Sequence, residues 1–74
     1  MTHQLFVQMT PSPSALLRLI SLIHRRGFHP LRIDAQTEQN NKVVVHLSLK
    51  AERDSEQLRH QLRKLVDVEH VEVL

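Results

Sequence analysis

Residues 14–50 read SALLRLISLIHRRGFHPLRIDAQTEQNNKVVVHLSLK, and the change of hydrophobic period along this stretch decides the architecture. From Ser14 to Arg26, steps of about 100° gather Ala15, Leu16, Leu19, Ile20, Leu22 and Ile23 into one broad stripe, with Arg18, Ser21, His24 and Arg25 opposite. That pattern predicts a helix lying on an apolar surface. Leu17 falls outside the stripe and is expected to face solvent or a partner. Gly27 ends the helix because it adopts the left-handed conformation at little cost, and Phe28 beyond it can pack back on the last turn. The period then becomes that of a strand. Leu31, Ile33, Ala35 and Thr37 alternate with Arg32, Asp34, Gln36 and Glu38, and Pro30 favours an edge position. Gln39, Asn40 and Asn41 form the turn. Lys42 to Lys50 is the most β-branched run, a central strand with Val43, Val45, Leu47 and Leu49 inward and Val44, His46 and Ser48 outward.

The flanks complete the pattern. Gln4 to Met9 alternates as a strand and stops at Thr10-Pro11-Ser12-Pro13, where Ser12 can cap the helix that Pro13 opens. Asp54 followed by Gln57 reads as a capping box ahead of Leu58, Leu62 and Leu65 at helical spacing. The other side of that second helix carries Glu56, Arg59, His60, Arg63 and Lys64. A last strand runs from about Val68 to Leu74. The order βαββαβ, with right-handed crossovers, predicts an α+β, ferredoxin-like domain: four antiparallel strands with both helices on one face. The first and third strands take the middle. Phe6, Val44 and one of the terminal valines are expected on the open face, and the edge of the second strand offers unpaired backbone groups.

Composition narrows the functional classes. A chain of 74 residues forms one domain, 1–74, with a small core. It is 41% hydrophobic and 24% charged, an ordinary globular balance. Without Cys there is no thiolate zinc site and no cysteine nucleophile. Ten Lys and Arg against eight Asp and Glu leave a formal charge of only +2, and two Phe without Trp or Tyr give no base-stacking platform, so nucleic acid is not implied. The histidines fall on different elements, so neither a metal nor another cofactor is expected. Asp34 and Glu38 have no nucleophile near them, and Ser12 and Ser14 read as caps, so the chain is not expected to be an enzyme. Met1 to Gln4 lacks a basic leader, and no apolar run approaches the ~18 residues of a membrane span, which points to a cytoplasmic location away from membranes.

Two stretches carry a family resemblance: His24-Arg25-Arg26-Gly27-Phe28-His29, and Leu62-Arg63-Lys64-Leu65-Val66-Asp67-Val68-Glu69-His70-Val71. Together they resemble the ACT domain of acetolactate synthase regulatory small subunits, the short class with a single ACT domain, over nearly the whole chain. The resemblance implies a non-catalytic subunit that binds and activates the thiamine-diphosphate-dependent catalytic large subunit in branched-chain amino acid biosynthesis. It implies a homodimer through the edge strand, for which Leu17, Pro30, Leu31, Arg32 and Asp34 are the candidate residues. Phe6, Val44 and His46 are candidates for contact with the catalytic chain. A branched-chain amino acid effector would sit at the seam, near Pro11, Ser12, Pro13, Ser14, Ala15, Leu16 and His29. The family's loop usually resembles Asn-x-Pro-Gly-x-Leu; here Pro11 stands at the Asn, Ser14 at the Gly, and His29 at a second Asn. A stand-alone ACT domain that senses a free amino acid for another protein is the alternative.

Overall fold

The computed structural model describes the whole chain, Met1–Leu74. Its elements are β1 (Thr2–Met9), α1 (Ala15–Arg25), β2 (His29–Thr37), β3 (Val43–Lys50), α2 (Ser55–Arg63) and β4 (Val68–Val73). The sheet order is β2-β3-β1-β4 and every pairing is antiparallel, so the fold is the ferredoxin-like α+β arrangement that the periodicities predict. The β-branched and aliphatic residues of β1 and β3 face each other in register, Leu5 against Leu47 and Val7 against Val45. These residues are buried under the helices together with Leu19 and Ile23 of α1 and Leu58 and Leu62 of α2. The alternate residues, Phe6 against His46 and Gln8 against Val44, form the opposite face, which no helix covers.

The end of α1 is a Schellman motif. Phe28 N–H donates to Ile23 O at 3.1 Å and Gly27 N–H to His24 O at 3.0 Å, with Gly27 at φ +84°. The turn delivers Phe28 to the core, where it is 3% exposed. At the other end, Ser14 is the N-cap residue, and neither its hydroxyl nor that of Ser12 caps the helix; the Ser12 carbonyl receives the Ala15 N–H instead, at 3.2 Å. The reading of Ser12 as a side-chain cap is corrected, because both hydroxyls accept from Arg18. Asp54 does cap α2, accepting from Glu56 N–H at 3.0 Å, but Gln57 makes no return bond and the capping box is half-formed. Leu65 lies beyond the end of α2.

Two register shifts alter the edge strands. The ladder between β1 and β4 shifts at Gln8/Met9, which sets Val68, Val71 and Val73 opposite Met9, Val7 and Leu5. All three valines therefore lie on the helix side, and His70 and Glu72 take the open face where a terminal valine was expected. In β2 the ladder shifts between Pro30 and Arg32, leaving Leu31 as the extra residue of a bulge. By register, Ile33 and Ala35 lie on the helix side, opposite Leu47 and Val45. Both are nevertheless exposed at the free edge, where α1 touches the strand only sparsely.

Candidate functional site

Three surfaces follow from this arrangement. The first is the loop between β1 and α1 with the helix start it feeds. Arg18, one turn into α1, reaches back to Ser14 Oγ at 2.5 Å and Ser12 Oγ at 3.5 Å. The same guanidinium grips the Asp67 carboxylate on the turn before β4 through Nε, at 2.9 Å, and Nη2. Thr10 adds backbone and hydroxyl bonds to Asp67 O at 2.8 and 3.1 Å. Pro11 and Pro13 are exposed, Ala15 is buried, and Ser12, Ser14 and Leu16 are half-buried. The loop is thus clamped to the far side of the chain, and its hydroxyls are already engaged. His29 is not part of this cluster: it opens β2, beyond the opposite end of α1, a helix of 11 residues spanning about 16 Å. A single chain does not bring His29 and residues 11–16 together.

The second surface is the free edge of β2 and the adjoining side of α1. Leu31 and Ile33 of β2 are 53% and 38% exposed, the strand pairs on one side only, and Leu17 of α1 is 67% exposed. Pro30 opens this edge. Arg32 and Asp34 lie opposite Ser48 and His46, hence on the open sheet face, where their side chains form an exposed 3.8 Å ion pair. Of the five residues assigned to this edge from sequence, Pro30 and Leu31 lie on β2 itself, Arg32 and Asp34 lie on its open-face side, and Leu17 is exposed on α1, turned away from the buried Leu19. Ile33 belongs with them; its alternation with Arg32 and Asp34 placed it on the inner face, which hid its exposure.

The third is the open sheet face. Phe6 and His46 are cross-strand neighbours with ring centroids 5.1 Å apart, packed edge to face, and Val44 sits diagonally across from Phe6. Phe6 and Val44 share a shallow hollow with Gln8 and the Glu38–Asn40 turn. Asp67 is the residue that sequence reading missed. Its partner is 49 positions away, so no local pattern could have joined them.

Nothing in these surfaces resembles a nucleophile held by a base and an orienting group. The histidines lie apart, with His46 on β3, His60 on α2 and His70 on β4. No helix is long and apolar enough to cross a membrane.

Residues 11–71 match the ACT domain family. The chain is 32% identical over 74 residues to the acetolactate synthase isozyme 2 small subunit of Escherichia coli K12 and to that of Shigella flexneri, covering 99% of this chain and 85% of each relative. Among solved structures it resembles the ACT domain from GTP pyrophosphokinase of Chlorobium tepidum, with a TM-score of 0.82 at 15% identity, over 99% of this chain and 96% of that one. It also resembles the acetolactate synthase small subunit from Thermotoga maritima, with a TM-score of 0.86 at 24% identity, over 99% of this chain and 47% of that longer one. From the strand order, the one-sided helix layer and these matches together, the chain belongs to the ACT domain family and, within it, to the group of acetolactate synthase small subunits.

Proposed function

We propose that this chain is the non-catalytic regulatory subunit of an acetolactate synthase, and that it acts by contact with a separate catalytic chain in the cytoplasm. The observation that carries the reading is the bare β2 edge, with Leu31 and Ile33 exposed on it. An unpaired strand flanked by apolar side chains favours pairing with a second copy through that edge. The open face of Phe6, Val44 and His46 is then left for the catalytic chain. Reaction chemistry belongs to the partner and its thiamine diphosphate. The small subunit biases the partner toward its active conformation, by no more than its difference in affinity for the two states.

A branched-chain amino acid has a secondary place in this reading. Ser14 brings a side chain where the family's glycine leaves room, and Arg18 holds Ser12 and Ser14 against Asp67. An effector carboxylate at the helix start must compete with those bonds. The test is to mix the purified catalytic subunit with this protein and follow acetolactate formation and co-elution. The expected result is a stable complex with raised activity, little altered by valine, and an Ile33→Lys variant that sediments as a monomer and activates less. Unchanged activity without co-elution overturns the reading; tight calorimetric binding of valine, leucine or isoleucine by a chain that ignores the catalytic subunit favours a free-standing sensor.

A further inference from the structure

Where α1 ends against α2, the turn at Gly27, the connection before α2 and the exposed side of that helix enclose a hollow of about 370 Å³. That is within the roughly 300–1,000 Å³ of small-ligand sites. Its two apolar lining residues are Phe28 and Leu58, 3% and 1% exposed, and its walls carry Arg26, Arg53 and Lys64. Four of the chain's ten Lys and Arg residues, Arg18, Arg32, Lys42 and Arg59, are engaged in ion pairs. Of the other six, three line this one hollow.

The local geometry engages the two arginines without pairing them with a carboxylate, and Lys64 makes no ion pair. Arg26 Nη2 donates to the uncharged Gln61 Oε1 at 3.0 Å. Arg53 lies against the Gly27 backbone, so closely that a Cβ on Gly27 would stand 3.4 Å from its Nε. Asp54 is the one carboxylate of the lining, and its Oδ1 is already taken as the α2 cap. His60 of the last turn of α2 adds an imidazole to the lining. A concavity lined by two guanidiniums, an ammonium and two glutamine amides fits an anion that can accept several bonds at once, and guanidinium forks match phosphate oxygens in particular.

We propose that this hollow binds a small phosphorylated molecule, with Arg26, Arg53 and Lys64 as its charge partners. The proposal does not rest on the regulatory reading, since it concerns this chain alone and is tested without a catalytic subunit. The probes are inorganic phosphate and pyrophosphate, titrated at constant ionic strength into the isotope-labelled chain and followed by amide chemical shifts. Saturable shifts confined to Gly27, Phe28, Arg53, Gln57 and Gln61, tighter for pyrophosphate, are expected. Arg53→Gln with Lys64→Gln removes two of the partners and should weaken binding by roughly tenfold or more. Arg25→Gln with Arg63→Gln removes the same charge outside the hollow and should leave the affinity within about twofold, since screened charges at a distance contribute little. Gln61→Glu gives Arg26 an internal carboxylate and should abolish binding without removing any cation. Shifts that never saturate, or equal weakening in both double variants, overturn the proposal.

Discussion

Replacing Arg18 by Met and Asp67 by Asn, singly and together, probes the clamp between the start of α1 and the turn before β4. The two members are unequally solvated: the Arg18 side chain is 43% exposed and that of Asp67 13%. An exposed ion pair contributes about 0–1 kcal/mol, and hydrogen bonds to a charged group that is out of water contribute about 1.5–3 kcal/mol. This pair lies between those limits, so a coupling of about 1–2 kcal/mol is expected. The single variants should differ in a defined direction. Asp67→Asn leaves the guanidinium with Ser12 and Ser14 and with solvent, and the backbone bonds from Thr10 to Asp67 O are untouched. Arg18→Met leaves a largely covered carboxylate without its only side-chain partner. Arg18→Met should therefore be the more damaging. In a domain of this size each kcal/mol corresponds to about 4–8 °C in Tm. Urea titrations and thermal melts by circular dichroism across the four proteins give the cycle. Additivity within about 0.5 kcal/mol, or an Asp67→Asn protein less stable than Arg18→Met, would refute the account of the clamp.

Two further outcomes test the turn after α1 and the core beneath it. Gly27→Ala must hold a left-handed φ of +84° with a Cβ at 3.4 Å from Arg53 Nε, and should lose about 1 kcal/mol or somewhat more, seen as a lower urea midpoint at unchanged slope. His3 packs edge to face on Phe28, with centroids 5.7 Å apart, and its Nε2 is buried without a hydrogen-bond partner. His3→Leu should therefore be neutral or stabilising by up to about 1 kcal/mol; a clear loss of stability would mean that the imidazole makes an interaction of its own.

Much of the fold is legible from periodicity because the strongest signals coincide with the best-buried residues. The stripe on α1, the inward set of β3 and the Gly27-Phe28 stop each rest on local spacing, and local spacing is what helix and strand geometry enforce. What escaped depends on partners distant in sequence. Val68 joins Val71 and Val73 on the inner side because the ladder slips at Gln8/Met9, and Leu31 stands apart because the ladder slips beside Pro30. In β2 the slip leaves no mark, because Leu31, Arg32 and Ile33 keep a strict alternation, whereas in β4 the two polar residues between Val68 and Val71 are its trace. Asp67 sits in an apolar stretch and reads as a turn residue until Arg18 is brought beside it. The assignment of residues 11–16 to a candidate effector site rests on a contiguous stretch of the family pattern. His29 was joined to them by resemblance alone, and within one chain the length of α1 keeps it away.

That separation and the exposure of β2 have one geometric origin. The strand has nine residues, about 30 Å at the rise of an extended chain, whereas α1 has 11 residues and spans about 16 Å. Meanwhile α2 packs along β4, at the opposite edge of the sheet, and cannot extend the cover over β2. A helix layer shorter than the sheet beneath it must leave apolar strand surface bare at one margin, and here the margin includes Ile33 and Ala35 on the inner side with Leu31 at the bulge. A second copy joined at that edge by a two-fold axis perpendicular to the strands would cover the strip with its own equivalent and extend the antiparallel ladder. The same axis would set the start of one α1 toward the end of the other, so the loop of one chain would approach the β2 start of its partner. Two halves of a seam that no single chain can close would then meet by symmetry, and a monomeric Ile33→Lys protein would lack the seam as well as the partner.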